Sequence, residues 1–488
     1  MICKETTLPK VYLSKYGSVG ENFQKARELI PLPALHNGHF NFWLPIRFLI
    51  LLRFTAKDLL FKTAVNSYTN YLSLGAQNKH LADGVIRSCN IPPDTSCDFL
   101  FIRNQGGSDI IQYKDQFFSR TMEPYMKIAA AVGSTLRVEM VRSSFPIKQY
   151  IEKTIYVLHN KYRGEGFSKQ LKNAKDLYKQ ICLQFPDAEL TPEQIWFFID
   201  EIFNLYLFFK EVLLRIRPKV VFSVAFYYFH PLHIACRELG IRSVDIQHCY
   251  MRGATLAYNC YDRAETSDVE TLPTDFVTWS RDDLEHIHSL FPLCNALDFG
   301  YQWPNYCLDL FQEEQEYIKE KVKNIVNEKN YDRLVLIIIS DVNIHPLLAA
   351  ITQDLRARKN RIAFVLRAKS NFAMESSNSD DAKNMIKDDY INSAPLPIVL
   401  QCFDAVLTLQ SSAIFEADAI NIPSFVCAEE ALSFRDLIEK KQLYHVTTVD
   451  EFYAKFDRVL SGASLHSSFT TNALVGAESF KAWLKSCL

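Results

Sequence analysis

Net charge is what this chain most lacks: 54 lysines and arginines stand against 56 aspartates and glutamates over 488 residues, a formal charge of −2. No global basic field exists to draw nucleic acid, so nucleic acid is not expected as a partner. The 12 cysteines include no CxxC pair and follow no regular spacing. Cys182, Cys236, Cys402 and Cys427 lie in apolar surroundings, where a reduced thiol behaves as a small apolar side chain. A reducing compartment is the simpler inference, and a cytoplasmic location is expected. Cys249 and Cys260 flank a loop, but zinc would need two further ligands. No metal is expected.

A long apolar run is missing as well. The N-terminal MICKETTLPKVYLSKYG has no continuous apolar core of the secretory kind. The most apolar segment, Phe40–Phe61, is broken by Arg47, Arg53, Lys57 and Asp58. A spanning helix needs about 20 mostly apolar residues, and charge near its centre is costly. The plain reading is a buried helix with its basic face outward. The sharper one is a helix lying on a membrane surface, which keeps peripheral association with the inner membrane face open. Internal repeats and extended low-complexity segments are also absent.

What is present is an alternation of buried strands and helices in two successive blocks. Hydrophobic residues at 48% and charged residues at 23% describe an ordinary globular chain, long enough for two or three domains. Residues 1–95 read as a mainly helical extension, broken at Pro31, Pro33 and Pro45. A first block spans 96–297. It opens on Cys97–Ile102, continues through a helical Tyr113–Val132 and a strand at Thr135–Val141, and includes a helix over Thr191–Ile216. Strands at Lys219–Ala225, Arg242–Gln247 and Asp275–Trp279 complete it. A second block spans 298–470, with strands at Arg333–Ser340 and Ile362–Arg367, and 471–488 closes the chain as a helix. The pattern predicts two doubly wound parallel α/β domains. Ligands of such sheets sit beyond the carboxyl ends of the strands, so a cleft between facing domains is the expected site.

The segment Asp404–Ala428, DAVLTLQSSAIFEADAINIPSFVCA, reads as strand, hydroxyl-rich turn, helix and strand. Ser411 and Ser412 fall where the helix begins, and helix N-termini favour anions. Glu416 follows about one turn later, within reach of a ribose hydroxyl pair. A nucleotide-phosphate site is expected there, the alternative being a simple N-cap. Arg367 and Lys369 close and follow a strand, where cations could steady a departing phosphate. His248 comes just after the strand Arg242–Gln247 and is the leading candidate for a general base, with a structural histidine as the alternative. His230 and His233 are weaker candidates. Asp109 and Glu139 are carboxylate candidates for activating an acceptor hydroxyl, each also readable as structural.

Three passages resemble GT-B glycosyltransferases of the bacterial capsule and surface-polysaccharide kind: RPKVVF…ACRELGIRSVDIQHCY, LPTDFVTWS with Phe299-Gly300-Tyr301, and DAVLTLQSSAIFEADAINIPSFV. The resemblance implies a GT-B-like fold of two facing Rossmann-type domains, acceptor-binding over 96–297 and nucleotide-sugar-binding over 298–470. It implies metal-independent, inverting transfer from a CMP- or UDP-sugar to a glycan or lipid-linked glycan, with no cofactor beyond that co-substrate. Two departures matter. Cys249 stands where Gln-His-Gly families have glycine, and Ala368-Lys369 occupies the place of a His-Pro pair. A polyol-phosphate transferase or nucleotide-sugar epimerase on the same scaffold is an alternative. So is a non-catalytic glycan- or nucleotide-binding subunit.

Overall fold

A computed structural model describes residues 36–37, 40–41, 43–56, 85–87, 90–104, 110–113, 116–141, 154–158, 174–188, 190–252, 258, 270–339, 344–368, 383–409, 411–427, 434–462 and 468–488. Its strands, in chain order, are β1 (His36–Asn37), β2 (Phe40–Asn41), β3 (Val85–Arg87), β4 (Phe99–Asn104), β5 (Ile110–Tyr113), β6 (Gln116–Ser119), β7 (Thr135–Val141), β8 (Thr154–Leu158) and β9 (Val220–Val224). They continue as β10 (Arg242–Ile246), β11 (Asp275–Thr278), β12 (Asn295–Asp298), β13 (Arg333–Ile339), β14 (Ile362–Ala368), β15 (Met385–Lys387), β16 (Ala405–Thr408), β17 (Ser424–Cys427) and β18 (Tyr444–Val446). The chain divides into two compact units, the second made of Trp279–Arg281 and Asp298–Ser479.

The first unit is built on an eight-stranded sheet in the order β12-β11-β10-β9-β4-β7-β8-β3. Every pairing from β11 to β3 is parallel. The helix Pro192–Ile216 covers it, and its start follows from the sequence. Thr191 accepts from the Gln194 N–H, and the Gln194 side chain accepts from the Thr191 N–H, a reciprocal capping box with proline in the first turn.

Three local readings change. The segment Val85–Arg87 is a strand paired with β8, so residues 1–95 are not helical throughout. Within the expected helix Tyr113–Val132, the described residues form the antiparallel hairpin β5–β6, then a helix only over Glu123–Ala130. The aromatic and β-branched content of IIQY and QFFS suits a pleated surface better than a helix. The helix Trp43–Ala56 buries every side chain from Trp43 to Ile50, Arg47 included. Phe48 stacks near Tyr227 and Tyr228, with ring centroids 4.7 and 5.2 Å away. That stretch is enclosed by protein, so its basic face is not outward at Arg47. No helix among the described residues is long and apolar enough to cross a membrane.

The second unit holds a six-stranded, all-parallel sheet in the order β15-β14-β13-β16-β17-β18. Its central strands read RLVLIII, AVLT and SFVC, and nearly every residue is buried, as a sheet covered on both faces requires. One face carries Val335, Ile337, Phe364, Leu366 and Phe425 against Leu348, Phe452 and Phe456 of the covering helices. Asp418 ties down the chain's later return. It accepts from the Ser468 hydroxyl and from the Phe469 and Thr470 N–H groups at 2.9, 3.1 and 3.0 Å. The helix Ala473–Cys487 then begins so close to Phe299 that a Cβ on Gly476 would lie 1.8 Å from the Phe299 carbonyl oxygen.

Alanine at a helix interior normally stabilises by about 1 kcal/mol over glycine. At position 476 the sign should reverse: Gly476→Ala is expected to destabilise by about 1–3 kcal/mol, the cost of forced overpacking. Urea unfolding would measure this, and a neutral or stabilising result would contradict the contact.

Candidate functional site

In the second unit, Ser411 and Ser412 stand just beyond the carboxyl end of β16, before the helix Ala413–Ala419. Ser412 is the N-cap residue, but its side chain makes no capping bond. Ser411 does that work, its hydroxyl accepting from the Ala413 N–H at 3.2 Å. The Ile414 and Phe415 N–H groups are taken in the turn by the carbonyls of Ser411 and Ser412, at 3.3 and 3.0 Å. Ser412 is exposed and Ser411 half-buried, so both hydroxyls stand near solvent at the carboxyl edge of the sheet. Glu416 faces inward at 1% exposure. Its charge adds to the burial that pushes the Cys307 thiol pKa well up.

Arg367, at the end of β14, donates through two guanidinium nitrogens to the carbonyls of Ile391 and Ala394. These carbonyls lie at the C-terminal end of the short helix Asp389–Ser393, where unpaired carbonyls attract a cation. Two of the Arg367 donors are thus engaged at that helix end. Lys369 lies outside the described residues.

In the first unit, the carboxyl ends of β9 and β10 bring together a cluster that includes His248. Ala225 ends β9 in the left-handed region, φ 65°, and a single 3-10 turn over Phe226–Tyr228 follows. The turn carries Tyr227 back so that its hydroxyl lies 3.1 Å from His248 Nε2, either atom able to donate according to the tautomer. Beneath them Asp245 is fully buried in β10. Its carboxyl accepts from the Tyr258 hydroxyl at 3.2 Å and from the Phe226 N–H. Burial pushes the Asp245 pKa well up, against the lowering effect of those two donors. Asp245 therefore pins the strained turn to β10 and Tyr258.

A second network fixes the chain beyond His248. Gln247 donates through Nε2 to the Cys249 carbonyl and to Asp283 Oδ2, both at 3.0 Å. Arg252 closes it, reaching Asp283 at 2.9 Å and Asp282 at 3.1 Å. This network holds the Gln-His-Cys turn without the glycine that related motifs place there.

The remaining candidates separate from this cluster. Glu139 is fully buried on β7 and pairs with Arg103 of β4 at 3.2 Å. Beside them Arg137 and Glu123 form a second buried pair at 2.7 Å. A carboxylate so enclosed is structural, which corrects its reading as an activator of an acceptor hydroxyl. Asp109 lies outside the described residues. No group of three or more His, Cys, Asp or Glu side chains among the described residues could hold a metal ion.

Sequence reasoning missed Tyr227, Asp245 and Tyr258. The one available signal was Asp245 itself, a charged residue inside the apolar strand RSVDI.

No protein-family model matches the chain, and no curated protein matches it. Among solved structures it is similar to the glycotransferase of kitacinnamycin, with a TM-score of 0.44, 10% identity, and 80% of this chain and 96% of that one covered. It is similar to UDP-N-acetylglucosamine 2-epimerase from Rickettsia bellii, with a TM-score of 0.45, 9% identity, and coverage of 80% and 96%. It is similar to the wall teichoic acid polymerase TagF, with a TM-score of 0.40, 11% identity, and coverage of 88% and 91%. Likeness of this degree bears on no residue and no reaction.

His230 and His233, on the helix His230–Glu238, are fully buried. His230 Nδ1 lies 2.8 Å from the Thr271 carbonyl. Neither ring nitrogen of His233 has a hydrogen-bond partner among the described residues. Burial lowers the His230 pKa to about 4, and lowers that of His233 well below the ordinary value, helped by the charges of His230 and Arg237. Between the ordinary value near 6.5 and the lowered folded value, the unfolded chain binds more protons. Each histidine therefore contributes stability above pH 6.5 that is lost as pH falls. Between pH 7.5 and 5, His233→Leu should lose less stability than the wild type. Urea unfolding at the two pH values would measure the difference, and equal losses would contradict it.

Proposed function

We propose that the protein is a glycosyltransferase that takes a sugar from a CMP- or UDP-activated donor. The observation that carries this reading is the Ser411–Ser412 turn, placed at the carboxyl edge of an all-parallel sheet with Glu416 one turn behind it. In this reading the two hydroxyls take the donor's phosphate, and Glu416 takes the ribose hydroxyls. The buried position of Glu416 would require a ligand to open that side of the helix.

His248 is the proposed base for the acceptor hydroxyl. The Tyr227 hydroxyl 3.1 Å from His248 Nε2 marks where an acceptor hydroxyl would bind, and an acceptor would displace it. The proton would pass from that hydroxyl to Nε2 as oxygen attacks the anomeric carbon and the nucleotide leaves with the bonding pair. Asp245 and Tyr258 would act through position, holding the turn that carries Tyr227. Acceptors of the surface-polysaccharide class, lipid-linked or free, are proposed on the resemblance of the three sequence passages alone. So is action without a metal.

Incubation with CMP-, UDP- and GDP-sugars and glycan acceptors tests the reading. Release of free nucleotide should depend on acceptor, and isomerisation of a donor without acceptor would overturn the proposal. His248→Ala should lower turnover by at least about 100-fold while keeping the rise in melting temperature that nucleotide confers. Tyr227→Phe should keep turnover within about threefold, because its hydroxyl is displaced rather than used. Equal losses in the two variants would assign the proton transfer to the tyrosine instead.

A further inference from the structure

The second unit carries a cavity on the edge of its sheet opposite Ser411. It lies at the amino ends of β13, β14 and β15, between the residues that precede each strand, and its volume is about 560 Å³. Four cationic side chains line it: Arg358, Arg361, Lys383 and Lys387. No acidic side chain lines it among the described residues. In a chain of formal charge −2 this is a local concentration of one sign with nothing global behind it.

Two of the four cations are left available. Arg361 is turned towards the Asn330 carbonyl and side-chain oxygens and pairs with Asp332 at 3.3 Å. Arg358 and Lys383 are exposed, and neither side chain has a hydrogen bond or ion pair among the described residues. Ile362, Phe364 and Met385 close it from behind and are almost fully buried, so the surface a ligand meets is mainly polar. Asn330 and Asn384 add amide groups at the rim.

We propose that this cavity binds a small organic anion, a phosphate ester. The size is that of a small-molecule site rather than of a polymer track. Arg358 and Lys383 would take the charged oxygens, the guanidinium by a two-point contact, and the amides of Asn330 and Asn384 would meet the polar part of the body. The site is distinct from the proposed nucleotide turn, because the two stand at opposite ends of the same parallel strands. Its ligand is therefore a regulator or second substrate rather than the donor.

Calorimetry with 1-naphthyl phosphate on the full chain tests this, with 1-naphthol as the uncharged control. One saturable site is expected, weakened by added salt, with 1-naphthol bound at least about tenfold more weakly. Arg358→Ala and Lys383→Ala should each weaken binding about fivefold or more, and both side chains are exposed, so folding is preserved. Ser411→Ala should leave the affinity unchanged. Absence of saturable binding, equal affinity for 1-naphthol, or indifference to both cavity variants would overturn the proposal. Loss of binding in Ser411→Ala alone would move the ligand to the nucleotide turn and overturn it equally.

Discussion

A parallel strand covered on both faces leaves polar side chains almost nowhere to stand except at its ends. In the second unit the strands Arg333–Ile339 and Ala405–Thr408 are buried almost throughout, and even the Thr408 hydroxyl is used internally, bonded to the Ile338 carbonyl at 2.8 Å. Chemistry is thereby forced to the two edges. At the carboxyl edge stand Ser411 and Ser412. At the amino edge stands the cation-lined cavity. The same constraint acts in the first unit, where Tyr227 and His248 follow the ends of Val220–Val224 and Arg242–Ile246. The chemistry proposed for this chain depends on that geometry more than on any one motif.

Where a charge does enter a strand, something must balance it. Desolvation makes an unpaired ionised carboxylate prohibitive, and the group shifts its pKa instead. Asp245 follows that course and also accepts two hydrogen bonds, from the Tyr258 hydroxyl and the Phe226 N–H. Those bonds hold Ala225 in a left-handed conformation that costs about 1–2 kcal/mol for a residue with a Cβ. Glu139 is instead paired with Arg103, and Glu123 does both, its pKa raised by burial against the pull of its partner Arg137. One buried carboxyl thus holds the turn that carries Tyr227, while two others hold strands and a helix together.

The architecture was legible because its signal is periodic. Near-continuous apolar runs such as RLVLIII announce strands buried on both faces, and Thr191-Pro192-Glu193 announces the start of a long helix. The hairpin Ile110–Ser119 was not, because alternating aromatic and polar residues fit an amphipathic helix as well as a strand. The turn at Ser411 and the position of His248 were legible as strand-end residues. Their surroundings were not: sequence order does not tell that Arg367 turns towards the carbonyls of Ile391 and Ala394. Nor does it tell that Tyr227, 21 positions away, meets His248. Such contacts depend on which strand lies beside which, and only the folded sheet decides that.

The proposed chemistry rests on a nucleotide seated at the Ser411–Ser412 turn. Photocrosslinking with azido derivatives of UDP and CMP, followed by peptide mass spectrometry, tests it most directly. Label is expected on the peptide spanning Ser411–Ala419, suppressed by the matching unmodified nucleotide. Label confined to other peptides, or label on this one that unmodified nucleotide does not suppress, would contradict it.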